Sequence, residues 1–466
     1  MRFDAQSIYF RGALRLILLS SAYSLIPLFS HSPLRILHTS DWHLGHRLYE
    51  RDRTAEHRAA LAWLLEVIEE QKVELLVVAG DIFDTMNPSN TARGLYYNFL
   101  GELQRTSCKA AVIIGGNHDS PSLLDAPAEL MRHLNLHVVG GAKADLDEQV
   151  FLLEVPKGAA AGAEKGDKKA VLVAAVPYLR DKDLKYSIAG ESPEDRKQRM
   201  RAAILTHYQE IGAAVEAQRG DTKIPILATG HLFASGSEDA EDKASHIYLA
   251  DKNNIEAGQF PVSFDYVALG HIHQAQRVGG KESVRYSGSL VPLTFGEARQ
   301  PQSVCVFTLT KAGQEVEVEK VMVPRFRDLK SIRGTVEEVL SELKALTLVG
   351  NVMEAGKLAP WVEVRVETPH PLPLLREELQ AIITAVEPTE NSPRPEILRT
   401  SLVRPDAAAA TPQLITRNLS ELDPEDVFYQ LCHNGEAAEK REDYDDLLSS
   451  FRELRNWMNE TEATAE

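Results

Sequence analysis

The stretch Ala110-Ala-Val-Ile-Ile-Gly-Gly-Asn-His-Asp-Ser120 decides how the chain is read. Its apolar start, with β-branched residues, predicts a buried strand, and Gly115-Gly116 ends it. Past that end sit Asn117, His118 and Asp119, side chains able to coordinate a metal or move a proton. In open α/β sheets, ligands bind beyond the carboxyl ends of strands.

The same pattern recurs along the chain. Predicted strands 35–40 and 73–79 run into Asp41-Trp42-His43 and Gly80-Asp81, and 225–229 and 265–269 run into Gly230-His231 and Gly270-His271-Ile272-His273. Between the first three strands, residues 53–72 and 90–104 read as helices; in the former Leu61, Leu64, Leu65 and Ile68 recur at helical spacing. Repeated strand, polar cluster and helix predict an α/β domain with short crossovers. A helix is expected over 122–133 and a long amphipathic one over 193–218. Strands are expected over 149–155, 170–176, 284–289, 303–310 and 315–323. The Gly-, Ala- and Lys-rich stretch 157–169 reads as a loop.

Composition shifts at Pro324-Arg325-Phe326, and we place a domain boundary there, so that 34–323 is one domain. Helices over 335–346 and 374–386 and strands over 361–366 and 396–402 suffice for a small α+β domain, 324–405. An alanine run with Pro412 then reads as a linker, and 406–466 is linker followed by helices. Residues 13–30 are apolar but carry Arg15 and Pro27, so a spanning helix is not expected. Fold-like text begins at Leu34. Residues 1–33 are read as an extension, a start-site artefact or a targeting segment.

The net charge of −17 on 466 residues, 44% of them hydrophobic, argues against a protein coated in basic surface. Nucleic acid would have to be engaged through a local groove, metal ions or a partner. From Glu436 to Glu466 ten acidic side chains face four basic ones, so the tail carries part of that charge. Cys108, Cys305 and Cys432 form no CxxC pattern, which argues against a disulfide framework and for a reducing cytosol. A metal site must therefore be built from His, Asp and Asn.

Collected, the candidates are Asp41, His43, Asp81, Asn117, His118, His231, His271 and His273. Carboxylate, amide oxygen and imidazole together suit borderline divalent ions such as Mn²⁺, Fe²⁺ or Zn²⁺. Without His118 the set is too large for one catalytic ion that keeps a position open, and about right for two sharing a carboxylate. Paired ions suit phosphate-ester hydrolysis, where they activate water and neutralise charge on the attacking and leaving oxygens. Trp42 reads as core packing, and His38, His46 and His57 as structural or surface residues. Asp84 either supports the site or caps a turn.

These motifs resemble the calcineurin-like metallophosphoesterase superfamily. The strings at 36–45, 78–85, 265–273 and 285–288 resemble its bacterial SbcD exonuclease-subunit branch, akin to the Mre-type double-strand-break nucleases. The resemblance implies a β-sandwich flanked by helices, a capping domain over the DNA path, and C-terminal helices gripping a coiled-coil ATPase of SbcC type. It implies one ion, most simply Mn²⁺, on Asp41, His43, Asp81 and His273. The second would sit on Asp81, Asn117, His231 and His271. His118 would donate a proton or hydrogen bond to the phosphate, with Asp119 fixing its tautomer. It further implies a cytoplasmic double-strand exonuclease and single-strand or hairpin endonuclease, working as a homodimer within a heterotetramer in DNA repair, recombination and replication. The rival readings are a metallophosphoesterase of nucleotides or small phosphodiesters, and a DNA-end-binding scaffold with an inactive metal site.

Overall fold

The computed structural model describes residues 32–156, 168–180, 182–184, 192–235, 255–348, 357–368, 372–385 and 394–403, with Leu448, Phe451 and Arg452. Residues 1–31, the stretch 157–167 and nearly all of the expected C-terminal helices lie outside them.

The first sheet contains β1 (Leu34–Thr39), β2 (Leu75–Ala79), β3 (Ala110–Ile114) and β4 (Leu136–Val139), all parallel and in that spatial order. The second contains β5 (Val150–Pro156), β6 (Lys168–Ala174), β7 (Ile226–His231), β8 (Tyr266–Gly270), β9 (Gln276–Val278) and β10 (Lys281–Tyr286). Its central strands β6, β7, β8 and β10 are parallel, with β5 and β9 antiparallel at the edges. β11 (Ser303–Leu309) and β12 (Val318–Met322) return to the first sheet, antiparallel, beside β1.

Side chains alternate faces along a strand, and here both faces are covered. Ile36, Leu75, Val77, Val112 and Ile114 of the first sheet pack on Leu153, Val171, Val173, Leu227 and Ala268 of the second. Leu37, Leu76, Val78, Ala111 and Ile113 point the other way, onto helices α1 (Thr54–Glu70) and α2 (Asn90–Leu103). The outer face of the second sheet packs on Ile204, Tyr208, Ile211 and Val215 of the long helix. The result is a two-sheet sandwich between helices. Strands buried on both faces read as continuous apolar runs, which is why the sequence announces them so clearly.

Trp42 is core: it is fully buried, donates to Thr39 Oγ1 at 3.1 Å and meets Phe99 edge-on. His38 lies between the sheets, its Nε2–H donating to the Leu269 carbonyl at 3.2 Å while Nδ1 accepts from the Tyr266 hydroxyl at 3.2 Å. Both match the structural reading. The helix expected over 122–133 is two short ones, α3 (Pro121–Asp125) and α4 (Ala128–Arg132), because Pro127 cannot continue the ladder. The long helix is α5 (Pro193–Arg219), capped by Ser192, whose hydroxyl accepts from the Asp195 amide.

Beyond residue 324 the chain forms β13 (Arg327–Gly334), α6 (Val336–Leu348), β14 (Leu358–Glu367), α7 (Leu375–Thr384) and β15 (Glu396–Val403). The three strands are parallel, and Ile332, Val362, Val364 and Val366 share a separate small core with Val339, Leu343 and Leu379. The first strand is absent from the sequence reading. Among the described residues no helix is long and apolar enough to cross a membrane.

Candidate metal centre

The polar clusters following β1, β2, β3, β7 and β8 converge at the carboxyl ends of both sheets. Three groups of side chains lie within coordinating reach of one another: Asp41, His43 and His273; His43, Asp81 and His118; Asp41, Asp81 and His231. Asp81 Oδ2 stands 3.2 Å from His231 Nε2 and 3.5 Å from His43 Nε2, between imidazoles delivered by different sheets. Asn117 Oδ1 lies 3.0 Å from both His231 Nε2 and His271 Nδ1.

The backbone is bent sharply to achieve this. Asp41, His43, Asp81 and His271 have φ of 52°, 45°, 49° and 100°, a region non-glycine residues avoid at about 1–3 kcal/mol each. Interlocking bonds hold the turns: Asp41 N–H donates to the Gly80 carbonyl, His43 N–H to that of Asp81, and His271 N–H to Asp41 Oδ1. Gly116 is required because a Cβ there would overlap Asp81 Oδ1 and its amide nitrogen.

Second partners fix the rings. His231 Nδ1–H donates to the Ala79 carbonyl at 2.9 Å, turning Nε2 towards Asp81. His273 Nδ1 is 3.1 Å from Glu297 Oε1. His118 Nδ1–H donates to the Asp84 carbonyl at 2.7 Å, and its amide donates to Asp81 Oδ1. The expectation that Asp119 orients His118 is therefore corrected. Asp119 is fully buried, and its carboxylate accepts from the amides of Ile82, Phe83 and Gly116 at 3.1, 2.9 and 2.8 Å. It ties two strand-end turns together, and the alternative left open for Asp84 resolves towards site support: its Oδ1 is also 3.4 Å from His43 Nδ1. Glu297 is missing from the sequence reading; it lies on a short turn 24 residues beyond its partner, with no local pattern to mark it.

Charge follows the same plan. Burial favours neutral Asp81, but His231 and His43 outweigh it and hold the carboxyl well below its usual range. Burial opposes a charged His231 and His273, yet Asp81 and Glu297 respectively carry each up to about 9. Burial and the charge of His231 push His271 down to about 3, and burial with the charge of Asp81 lifts Asp119 to about 6. Asp81 and Glu297 thus favour positive charge at His231 and His273, charge that a divalent ion bound there would supply instead.

His43 provides the test of fit. Its ring is buried, and although Asp84 Oδ1 and Asp81 Oδ2 face Nδ1 and Nε2 at 3.4 and 3.5 Å, neither closes a well-formed hydrogen bond. A buried imidazole nitrogen without a partner is unfavourable, whereas an ion among carboxylate, amide and imidazole donors satisfies it. The residues present suit borderline divalent cations.

A buried ring of such donors at the ends of two facing sheets defines a metal-dependent phosphoesterase, and residues 34–275 match the calcineurin-like phosphoesterase family. Residues 325–434 match the Type 5 capsule protein repressor C-terminal domain. The chain is 36% identical over 396 residues to the SbcD subunit of the nuclease SbcCD of Escherichia coli K12, covering 85% of this chain and 92% of that protein. The SbcD subunits of Rhodobacter capsulatus and Bacillus subtilis are 31% and 28% identical, covering 83% and 73% of this chain and 93% and 81% of theirs. The chain belongs to the calcineurin-like phosphoesterase family, in its SbcD nuclease-subunit branch.

Proposed function

We propose that this chain is the nuclease subunit of an SbcCD-type complex, hydrolysing DNA phosphodiester bonds as a double-strand exonuclease and a single-strand or hairpin endonuclease. The observation that carries the reading is the convergence of Asp81 with histidines from both sheets. One ion would be held by Asp41, His43, Asp81 and His273, and the other by Asp81, Asn117, His231 and His271. Such ions, Mn²⁺ in this proposal, activate water and neutralise charge on the attacking and leaving oxygens.

The remaining chemistry belongs to the chain. His231 and His273 have Nδ1 committed to Ala79 and Glu297, so Nε2 is the nitrogen each can offer. Asn117, His118 and His273 are partly exposed, so substrate can reach this side of the cluster. With Nδ1 tied to a carbonyl, His118 presents Nε2 and, when protonated, donates to a phosphate oxygen or the leaving oxygen. The segment 324–405 would cap the DNA path, and the helices expected after residue 406 would grip an SbcC-type coiled-coil ATPase. A homodimer in a heterotetramer, acting in the cytoplasm in repair, recombination and replication, completes the proposal. The acidic net charge accords with it if metals and partner supply much of the phosphate attraction.

The test compares hairpin duplex DNA with cyclic AMP, with and without Mn²⁺ and the ATPase partner. Mn²⁺-dependent cleavage of the hairpin, stimulated by the partner, is expected. Cleavage of cyclic AMP alone would sink the nuclease reading in favour of a small-phosphodiester enzyme.

A further inference from the structure

Behind His273 a line of contacts leads away from the metal centre. Glu297 Oε1 faces His273 Nδ1 at 3.1 Å, and its Oε2 accepts from the Leu293 amide at 2.8 Å. The other side of that same peptide unit, the Pro292 carbonyl, accepts from Arg53 Nη1 at 2.7 Å. Arg53 is fully buried and grips Glu56 with Nε and Nη2, at 2.9 and 2.6 Å. Glu56 is buried too, and its Oε2 lies 3.8 Å from Nε of Arg327. The Arg327 guanidinium then rests 4.0 Å over the ring of Trp361. Arg327 opens β13 and Trp361 lies in β14, so the line ends in the three-stranded sheet.

We propose that Glu297 is a positioning residue for His273, and that Arg53, acting through the Pro292–Leu293 peptide, couples the seating of the three-stranded sheet to the affinity of the ion His273 holds. The inference rests on the two-ion reading above and deepens it. A carboxylate behind a ligating imidazole fixes its tautomer and ring angle and raises its basicity, and losing such a partner weakens metal binding about 10- to 100-fold. Arg53 has no slack to absorb a shift of Glu56, because its fork is shared between Glu56 and the Pro292 carbonyl. Removing Arg327 leaves Glu56 to Arg53 alone and lets the shared geometry relax.

The experiment titrates Mn²⁺ calorimetrically into the full chain stripped with EDTA, and follows the imidazole nitrogens of His273 by NMR. Glu297→Gln is expected to weaken one of two ions about 10- to 100-fold, leave the other unchanged and shift the His273 tautomer signature. Arg327→Met, which keeps a stem over Trp361, is expected to weaken the same ion by about 3- to 10-fold. Wild-type binding of both ions by either variant overturns the proposal. Melting of the EDTA forms checks folding; if Glu297→Gln does not fold, Glu297→Asp replaces it, and unchanged binding there overturns the proposal equally. A wild-type chain that binds fewer than two ions would instead sink the two-ion reading itself.

Discussion

His118 donates its Nδ1 proton to the backbone carbonyl of Asp84 across 2.7 Å. A carbonyl only accepts, so the tautomer is fixed without help from a titrating group, and Nε2 is presented to whatever enters the site. That bond anchors the ring within the protein itself. His118→Leu is therefore expected to lower hairpin cleavage about 10²- to 10⁴-fold while two Mn²⁺ ions still bind. Single-turnover cleavage alongside calorimetry checks this, and loss of metal binding in step with activity would make His118 a ligand instead.

Asp119 tells the opposite story. It takes three backbone amides, from Ile82, Phe83 and Gly116, in a site no water reaches. Leaving buried amides unpaired costs about 1–3 kcal/mol each, so Asp119→Ala is expected to destabilise the metal-free chain by about 3 kcal/mol or more. Asp119→Asn recovers only part of this, since its NH₂ group faces donors. Denaturant unfolding in EDTA measures it, and a loss below about 1 kcal/mol would contradict the assignment.

His38 sets a pH dependence of stability. Burial, with the Arg285 charge adding to it, pushes the imidazole down to about 3, against an ordinary value of 6.5. The unfolded chain binds the proton first, so the contribution is intact above pH 6.5 and is lost as pH falls from 6.5 towards 3. Between pH 7.5 and pH 5 the loss from this one group is about 2 kcal/mol. Denaturant midpoints of metal-free wild type and His38→Gln at the two pH values test it. The variant should lose less by about that amount, and equal losses would place the sensitivity elsewhere.

The metal candidates were legible because each follows an apolar strand and most follow a glycine, a pattern written locally. What was not legible depends on direction or distance. Asp119 adjoins His118 in sequence, but neighbours in a tight turn point apart, and only the fold brings Asp119 to the amides of Ile82 and Phe83. Glu297 meets His273 through the fold alone. The φ values of Asp41, Asp81 and His271 belong to glycine by preference, so residue identity hides the bend. Strand β13, Arg-Asp-Leu-Lys-Ser-Ile-Arg-Gly, offers only Leu329 and Ile332 as apolar residues and shows no two-residue alternation.

Anomalous diffraction from Mn²⁺-loaded crystals tests the central claim most directly. Two peaks about 3.5–4 Å apart are expected, one among Asp41, His43, Asp81 and His273, the other among Asp81, Asn117, His231 and His271, with Asp81→Ala abolishing both. A single peak, or a pair that does not share Asp81, would contradict the account.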